Sequence, residues 1–490
     1  MSKQLLEINF TWKGILNDAT KQVTDGFVDM SWVDIWTEPW VMQINKRLEV
    51  DTTTWMTERP LSQTVFDWKI ISWNANEELW YNSTWTTWTL MHTNANNWDN
   101  NDVVTYQNRL IYASRTRLWR STWLTIAWWF TDNATWWAGW PLFTNWWSEP
   151  HYFRIFNNRL YISDGNILAE LDWASAPLSP SSWVMTPSKF ILPEEEVIKS
   201  LEVIWSQLAI WTEAWNFYLW DWASANASQI IKASLWWINA MLELENTLYV
   251  FAWLNWTVYR YNGADFIPTI QIPDMNILFS SFVRQPAVRK YKNWMIFAIP
   301  NNWIYVWNRV KEWESFSLAK YWPLSGGQQI DSTDWELQSL FIIDETISDD
   351  RFLVGYEYNN VMHIDRVSDT KFYRMEEAWS WDVSVAPYIE TVMYELRDKN
   401  GKPNKVQWIQ WMFNAVIVSS ADRNNIQIEY RLDRTSAYTV LWIIWENWIN
   451  LDKILRWIWK RVSKIQFRIK MWWTVLTTLN NTKLTNLKIF

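Results

Sequence analysis

The chain has 490 residues but no cysteine and only three histidines, and these absences exclude several kinds of site. Without thiols it can form neither disulfide bonds nor thiolate metal centres. His92, His151 and His363 lie far apart in the sequence, so they do not form a metal-ligand motif. We predict that the protein binds no metal ion and no cofactor.

Catalytic motifs are also lacking. The sequence contains no phosphate-binding glycine loop, no zinc-protease motif and no nucleophile elbow. The acidic segment DNND (99–102) could offer oxygen ligands to Ca²⁺ but lacks EF-hand spacing, so we interpret it as a polar surface turn. We interpret EEEV (194–197) as a solvated run of charge, and we predict that the protein is not an enzyme.

Long hydrophobic runs are absent too. No stretch approaches the roughly 18 apolar residues that a membrane-spanning helix needs. The first residues, MSKQLLEINFTWKG, lack the apolar segment of a signal peptide. The net charge of −8 argues against a general nucleic-acid binder. We therefore expect no membrane insertion and no export.

Glycine is scarce, whereas tryptophan is abundant. The chain has 9 glycines and 48 tryptophans, although an ordinary protein contains about 7% glycine. Tight turns need the positive φ angles that glycine adopts freely. Each tryptophan side chain brings roughly 150–250 Å² of surface to be buried, which no single core could hide for so many. The excess of one residue matches the deficit of the other.

Tryptophan also stands where turns favour glycine. Ten tryptophans directly follow Asp or Asn: Trp68, Trp98, Trp146, Trp173, Trp222, Trp256, Trp294, Trp303, Trp335 and Trp448. Asp-Gly and Asn-Gly are strong hairpin signals, whereas Asp-Trp and Asn-Trp are not. We hypothesise that most of the tryptophans are UGA codons that the source organism reads as glycine. The alternative is a truly tryptophan-rich protein that stacks ligands or binds a membrane surface.

The glycine hypothesis predicts where the tryptophans lie. In the segment 204–224, Trp205, Trp211, Trp215 and Trp222 stand where a turn favours a residue without a side chain. Tryptophans after Asp or Asn should lie at turns with their indoles in solvent; the examples are Trp68, Trp173, Trp222, Trp256, Trp294 and Trp303. Six residues in aromatic or β-branched strand contexts are interpreted as genuine tryptophans: Trp80, Trp88, Trp183, Trp220, Trp307 and Trp411. Of these, Trp88, Trp220 and Trp307 should be buried.

A short pattern recurs seven times along the chain. A polar turn leads into Leu or Met and an apolar run, in FDWKIISW (66–73), QNRLIYAS (107–114), NNRLYISD (157–164), WSQLAIWT (205–212), ENTLYVFA (245–252), KNWMIFAI (292–299) and DRFLVGYE (350–357). The repeats lie about 40 to 58 residues apart, and a second short strand follows most of them. This spacing is typical of propeller blades. We predict an all-β chain with a β-propeller of six or seven blades at residues 61–380.

The segments on either side of the repeats have a different pattern. Residues 1–60 are interpreted as an N-terminal arm that leads into the first blade. Residues 381–490 contain alternating strands and predict a C-terminal β-sandwich. In one of these strands, Ile465, Phe467 and Ile469 should face one side. Gln466, Arg468 and Lys470 should face the other.

A basic run crosses this C-terminal region. Residues 453–470 contain no acidic side chain and seven basic ones: Lys453, Arg456, Lys460, Arg461, Lys464, Arg468 and Lys470. These residues could form the solvated face of the sandwich, or they could bind an acidic partner or DNA phosphates. We call these seven residues the candidate docking surface.

The blade segments NRLIYAS and NNRLYISDGNILAELD, together with the end of the chain (455–490), carry a family resemblance. They resemble the propeller-bearing tail hub and packaged-DNA stabilisation proteins of short-tailed phages. The resemblance implies a non-enzymatic, homo-oligomeric ring in the virion, assembled in the host cytoplasm, that extends the head-to-tail channel and helps retain packaged DNA. It implies portal, adaptor and tail proteins as partners, with packaged DNA in the channel as a further one. A recoded host and its phages would also account for the tryptophan pattern.

Two other functions remain open. The segment STWTTWTL (83–90) is similar to the end of the Asp-box of sialidase-like propellers if Trp85 is read as glycine, although Ser83 stands at the Asp position. A glycan-binding or glycan-cleaving propeller would need clustered Arg, Tyr and carboxylate groups at one propeller mouth. A receptor-binding tail protein would need an exposed aromatic or acidic cleft.

Overall fold

A computed structural model describes strands, turns and short loops along the chain. The described residues are 6–9, 27–31, 33–34, 42–44, 46–53, 60–67, 69–74, 78–84, 87–93, 103–114, 117–121, 131–132, 151–173, 183–232, 235, 238–252, 257–271, 288–291, 294–298, 304–308, 317–321, 324–325, 328–329, 335–343, 351–358, 361–372, 388–391, 393–395, 406–416, 424–432, 435–445, 454–462, 464–473 and 483–489. They form 42 strands, and they include no helix long and apolar enough to cross a membrane. The prediction of an all-β chain is confirmed.

The chain folds into two compact units. Unit 1 contains Met1–Glu49, Trp303–Ile330 and Val367–Phe490, and unit 2 contains Val50–Asn302 and Asp331–Arg366. Both units are therefore discontinuous in sequence. The bounds predicted for the arm, the propeller and the sandwich follow the chain order instead, and they stay a prediction.

Five strands precede the repeats: β1 (Leu6–Asn9), β2 (Phe27–Ser31), β3 (Val33–Asp34), β4 (Met42–Ile44) and β5 (Lys46–Thr53). Five antiparallel sheets of four consecutive strands then follow in unit 2. Their strands, four to a sheet, are β6 (Pro60–Phe66), β7 (Lys69–Asn74), β8 (Glu78–Thr84), β9 (Thr87–Thr93); β10 (Val103–Tyr106), β11 (Arg109–Ser114), β12 (Arg117–Ser121), β13 (Thr131–Asp132); β14 (Phe153–Phe156), β15 (Arg159–Asp164), β16 (Ile167–Trp173), β17 (Trp183–Ile191); β18 (Ile198–Ile204), β19 (Gln207–Thr212), β20 (Asn216–Trp220), β21 (Gln229–Lys232); β22 (Ile238–Leu244), β23 (Thr247–Ala252), β24 (Thr257–Tyr261) and β25 (Phe266–Gln271).

The remaining strands are β26 (Val288–Tyr291), β27 (Trp294–Ala298), β28 (Ile304–Asn308), β29 (Ser317–Tyr321), β30 (Leu324–Ser325), β31 (Gln328–Gln329), β32 (Trp335–Ile343), β33 (Arg351–Tyr358), β34 (Val361–Phe372), β35 (Tyr388–Thr391), β36 (Tyr394–Glu395), β37 (Val406–Val416), β38 (Asn424–Arg431), β39 (Thr439–Trp445), β40 (Ile454–Val462), β41 (Lys464–Trp473) and β42 (Lys483–Ile489). Strand β26 of unit 2 pairs with β27, and β32, β33, β34 and β5 form a further four-stranded sheet.

The first strands of the sheets in unit 2 form a closed ring. Each of β6, β10, β14, β18, β22, β26 and β32 contacts the next in this order, and β32 contacts β6. Seven strands at the centre, each opening an antiparallel sheet, define a seven-bladed β-propeller. The predicted propeller is confirmed, and each of the seven sequence repeats supplies the second strand of a blade.

The hairpins that open the blades explain the recurring polar turn. Two-residue turns join β10 to β11 and β14 to β15, and all four turn residues have positive φ: 49° and 56° at Gln107 and Asn108, and 49° and 59° at Asn157 and Asn158. Asparagine tolerates this left-handed conformation better than most residues, and such turns suit the twist of a hairpin.

The last blade takes its outer strand from the beginning of the chain. Its strand order is β32, β33, β34 and β5, so a strand from residues 46–53 completes a sheet whose other members lie beyond residue 334. Strand β5 lies in the segment interpreted as an arm. Its sequence, KRLEVDTT, does not show its partner, because the pairing joins distant parts of the chain.

Both faces of the blades' second strands are buried. Ile71 of β7 packs into the cluster between the first two blades, whereas its neighbour Ile70 packs with Leu353 and Ile364 of the last blade. Successive side chains of a strand point to opposite faces, so one apolar run serves two cores. Complete burial of such a side chain contributes about 1.5–3 kcal/mol, which accounts for the continuous apolar runs.

The tryptophans in strands agree partly with expectation. Trp88, Trp220 and Trp307 are 4%, 0% and 1% exposed, so their predicted burial in strands is confirmed. Trp80 of β8 is also buried. The expectation for Trp211 was wrong, because it lies in β19, is 1% exposed and packs against Phe217 and Phe266.

The expectation for tryptophans after Asp or Asn was also met only in part. Trp222 lies in a loop with a φ of 64° and is half-buried rather than turned into solvent. Trp173 and Trp294 lie at the ends of β16 and β27, so the prediction of a turn was wrong for both. Two of the tryptophans interpreted as genuine, Trp183 and Trp411, lie on strands β17 and β37. Three of those expected at turns lie outside the described residues: Trp68, Trp256 and Trp303.

Unit 1 contains two larger sheets. One has the order β3, β4, β42, β37 and β40, with β1 also paired to β42. The other contains β28, β29, β2, β35, β41, β38 and β39, with β36 paired to β41. The strands predicted after residue 381 are present, and their packing as a sandwich stays a prediction.

Candidate functional site

The candidate docking surface is divided between two strands of unit 1. Arg456, Lys460 and Arg461 lie on β40, which pairs with β37. Lys464, Arg468 and Lys470 lie on β41, which pairs with β35 and β38 in the other sheet. Lys453 lies outside the described residues. The structure therefore does not place the seven residues on a single strand ladder.

Strand β41 alternates as its sequence predicts. Ile465, Phe467 and Ile469 are completely buried on one face. On the other face, however, Gln466 is 2% exposed and Lys470 is 7% exposed, although both are polar. Lys464 is exposed and Arg468 is half-buried. The polar face is thus largely covered and is no open basic surface.

Two carboxylates flank Arg468 across the sheet. Glu390 of β35 lies opposite Arg468 on one side, and Glu429 of β38 lies opposite it on the other. Side chains directly opposite one another in an antiparallel pair lie close on the same face. The basic run alone therefore does not define the site, because the carboxylates that neutralise Arg468 lie on other strands.

Glu390 is the centre of the resulting network. Its side chain is 8% exposed. It accepts hydrogen bonds from Arg431 Nη2 at 2.7 Å, from Arg468 Nη2 at 2.9 Å and Nε at 3.2 Å, and from Gln466 Nε2 at 3.1 Å. Gln466 Nε2 also lies 2.6 Å from the Thr391 carbonyl oxygen. A buried carboxylate with these partners fixes three strands to one another.

Glu429 forms the second centre. Its Oε1 lies 3.4 Å from Lys470 Nζ and accepts a hydrogen bond from Gln427 Nε2 at 2.5 Å. Arg468 Nη1 lies 3.9 Å from Glu429 Oε2. Arg468 therefore contacts both carboxylates, and the buried ammonium group of Lys470 has a carboxylate partner.

Aromatic rings cover the two guanidinium groups. The Cζ atom of Arg468 lies 3.9 Å from the ring centre of Tyr438 and 5.4 Å from that of Tyr388, and Arg431 Cζ lies 4.6 Å from that of Tyr438. Burial lowers the pKa of Arg468, but its hydrogen bonds and its charge interaction with Glu390 raise the pKa by more, so the net shift is upward. Burial and the nearby Glu390 raise the pKa of Tyr438. The guanidinium of Arg468 stays charged and the phenol stays neutral.

The charge balance limits what this face can bind. Arg431, Arg468 and Lys470 carry three positive charges, and Glu390 and Glu429 carry two negative ones. One surplus positive charge and the exposed Lys464 remain for an external anion. The arrangement can support weak contact with phosphate or carboxylate groups, but its main effect is to hold β35, β38 and β41 together.

The propeller contains an Arg, Tyr and carboxylate cluster as well. Glu170 of β16 accepts hydrogen bonds from Arg159 Nη1 at 2.7 Å and Tyr161 Oη at 3.0 Å, and Lys189 Nζ lies 3.5 Å away. Arg159 also lies 3.4 Å from Asp172. These residues occupy the second to fourth strands of the third blade, and none of them lies on its ring strand, β14.

One charged pair connects two strands of the ring. Arg154 of β14 donates a hydrogen bond to Glu202 of β18, in the next blade. Burial raises the pKa of Glu202, although the charge of Arg154 opposes the rise. The pair joins neighbouring blades at the centre of the propeller.

The acidic run at 194–197 was partly misinterpreted. Glu194 and Glu195 are exposed as expected, but Glu196 is 3% exposed. Glu196 accepts hydrogen bonds from Thr212 Oγ1, from Asn216 Nδ2 and, at 3.1 Å, from Tyr218 Oη. No local feature of the sequence indicates this burial, because the three donors lie in the next hairpin.

Among the described residues, no group of three or more His, Asp or Glu side chains could hold a metal ion. Of the histidines, His151 is buried, and its Nδ1 atom lies 2.6 Å from the carbonyl oxygen of Ser163. The DNND segment lies outside the described residues.

Raising the pH above about 10 is expected to destabilise the propeller. Burial, together with Asp172, raises the pKa of Tyr106 to about 12, and burial, together with Glu196, raises the pKa of Tyr218 to about 12. A raised pKa favours the protonated phenol in the folded state, so this stabilisation is complete below the unfolded value of about 10 and is lost as the pH rises through 12. Thermal unfolding midpoints at two pH values, below and above 10, measure the loss. The Tyr218→Phe variant should lose less, and equal losses in both proteins would contradict the assignment.

No model of a known protein family matches the chain, and no curated protein matches it either. Among solved structures, the chain is similar to the WD40 β-propeller domain of Doa1, with 10% identity and a TM-score of 0.44, covering 68% of this chain and 100% of that one. For the β-propeller domain of Myceliophteria thermophila Cps50 (Swd1), the identity is 10%, the TM-score is 0.41 and the coverage is 66% and 100%. For Chaetomium thermophilum Raptor, these values are 9%, 0.45, 67% and 29%. The propeller assignment rests on the strand pairings and the ring of contacts, and not on these similarities.

Proposed function

We propose that the chain is a non-enzymatic structural protein of a phage virion. In this role it is a tail hub or neck component that forms a homo-oligomeric ring, extends the head-to-tail channel and helps retain packaged DNA. The observation that carries the proposal is that the buried carboxylates bind side chains of the protein itself. Glu170, Glu196 and Glu390 accept hydrogen bonds from side chains of neighbouring strands. Glu429 accepts one from Gln427 of its own strand and lies 3.4 Å from Lys470 Nζ of β41. Groups occupied in this way link the strands of a scaffold.

The resemblance of the blade segments and of the end of the chain to tail hub and packaged-DNA stabilisation proteins supports the same function. Exposed Lys464 of β41 and the basic residues of β40 are the part of the chain that would contact DNA or an acidic virion protein.

The location of the protein tests the proposal directly. Mass spectrometry of purified virions should detect the chain in several copies per particle, and electron microscopy should place it in a ring at the neck or tail. A protein found only in the host cytosol or envelope would rule the proposal out.

The exposed lysine of β41 offers a test of DNA contact. If the docking surface binds phosphates, Lys464→Ala should weaken binding to duplex DNA and reduce the slope of log affinity against log salt by about 0.9. Lys232→Ala is the matched control, because Lys232 is an exposed lysine on the outer strand of the fourth blade. A salt-titrated binding measurement on the two variants decides the point. Equal slopes would exclude Lys464 as a phosphate contact.

A further inference from the structure

All three loops of the fourth blade place a tryptophan in the left-handed region. The φ angles are 53° at Trp205, 67° at Trp215 and 64° at Trp222. A side chain with a Cβ atom is strained there, whereas glycine is not. Three such residues in one blade call for an explanation in the sequence itself.

The loop at Trp205 has a counterpart with glycine. Two-residue loops join β18 to β19 through Trp205 and Ser206, and β15 to β16 through Gly165 and Asn166. In both loops only the first residue has positive φ, at 53° for Trp205 and 59° for Gly165. This pattern differs from the Gln107-Asn108 hairpin, in which both angles are positive. A hairpin loop with positive φ only at its first position favours glycine there.

The loop at Trp222 has an even closer counterpart. Asp221 Oδ1 accepts hydrogen bonds from the backbone N–H groups of Ala223 at 3.2 Å and Ser224 at 2.8 Å. In the fifth blade, Asn262 Oδ1 accepts the same two bonds, from Ala264 at 2.9 Å and Asp265 at 2.7 Å. Both loops follow the third strand of their blade. The residue after the Asp or Asn is Trp222 in one loop and Gly263, with a φ of 99°, in the other.

Trp215 occupies the third position of a three-residue loop. The loop runs from residue 213 to 215 between β19 and β20, and the N–H of Trp215 donates to the carbonyl oxygen of Thr212 at 3.1 Å. Loops of this length commonly end in a left-handed residue, for which glycine is preferred. Trp215 as a whole residue is 37% exposed.

We infer that Trp205, Trp215 and Trp222 are glycines in the protein that the source organism makes, encoded by UGA. The same blade contains a tryptophan to which the inference does not extend. Trp220 is fully buried, stacks on Phe190 with ring centres 4.8 Å apart and donates its indole N–H to the Ser224 carbonyl oxygen at 2.8 Å. Within these 18 residues, 205–222, we therefore expect UGA codons read as glycine and a UGG codon read as tryptophan. The inference concerns the identity of the residues and holds or fails independently of the proposed function.

The coding DNA and the native protein give the direct test. We expect TGA at positions 205, 215 and 222 and TGG at position 220. Peptide mass spectrometry of the chain isolated from its source should show glycine at the three loop positions and tryptophan at 220. TGG at the loop positions, or tryptophan in the native peptides, would overturn the inference.

Recombinant variants test the physical argument separately. Trp215→Gly in the full chain should raise the thermal unfolding midpoint by a few degrees, on the order of 2–4 °C, because it relieves left-handed strain. Trp220→Gly is the matched control and should lower the midpoint by more than that, because it empties a packed site. Substitution of Trp205 or Trp222 is a less direct test, because each side chain also makes a contact that glycine would lose. Trp205 Nε1 donates to the Asn246 carbonyl oxygen, and the ring centre of Trp222 lies 5.3 Å from Arg159 Cζ. An unchanged or lowered midpoint for Trp215→Gly would defeat the inference at that position.

Discussion

Replacing Glu390 with alanine is expected to destabilise unit 1 by about 3–5 kcal/mol, because it leaves buried charges without a partner. Arg431 and Arg468 have side chains only 17% and 27% exposed, and both bind Glu390. The two guanidinium groups cannot reach water fully without separating from Tyr438, which lies 4.6 Å and 3.9 Å from their Cζ atoms. The variant would therefore retain the cost of burying cations and lose the carboxylate that offsets it.

Denaturant unfolding followed by fluorescence measures this effect, with the transition of unit 1 expected at lower denaturant. Lys464→Ala is the control on the same sheet, and it should change the free energy of unfolding by no more than about 0.5 kcal/mol because Lys464 is exposed. A loss below about 1 kcal/mol for Glu390→Ala would show that the network is no more than a set of surface ion pairs.

Replacing Glu196 with alanine is expected to cost the propeller about 2–4 kcal/mol, because a buried donor without an acceptor costs about 1–3 kcal/mol. Tyr218 is 5% exposed, so its hydroxyl group would lose its acceptor in the interior. Thr212 is 0% exposed and would keep only the Asn216 carbonyl oxygen, 3.3 Å from its Oγ1 atom. Asn216 is only half-buried and can bind water instead, which keeps the total below the sum of three such losses.

The neighbouring residues supply matched controls for this substitution. Glu194→Ala and Glu195→Ala remove the same group from exposed positions and should leave the thermal unfolding midpoint nearly unchanged. Similar losses for all three variants would refute the assigned role of Glu196.

The sequence predicts the blades well because their defining features are local. The polar turn of Asn157 and Asn158, both left-handed, is followed directly by β15, RLYISD, a strand that is buried on both faces. Turn and apolar run occur together within eight residues, NNRLYISD, and so can be recognised without knowing the partner strands. The same holds for β41, whose alternation predicts the buried face of Ile465, Phe467 and Ile469.

The parts that sequence does not predict depend on distant pairings. The basic run on β41 looks unpaired because Glu390 and Glu429 lie 78 and 39 residues before Arg468 and meet it only through strand register. Glu196 belongs to a run of three glutamates, and only the next hairpin decides which of them is buried. The glycine hypothesis places Trp211 at a turn, yet this residue continues the apolar strand β19.

The pairing of β5 with β34 also determines when the last blade can be completed during synthesis. About 300 residues lie between Thr53 and Val361, and at roughly 5–20 residues per second a ribosome needs about 15–60 s to make them. During this interval the backbone edge of β5 has no strand of the last blade to pair with, and an open edge can recruit strands of other nascent chains. Strand β1 waits longer still, because Leu6 pairs with Ile489 of β42. Unit 1 therefore cannot complete its sheets until β42 has been made, long after the first blades have emerged, and slow translation or crowded polysomes would favour aggregation at β1 and β5.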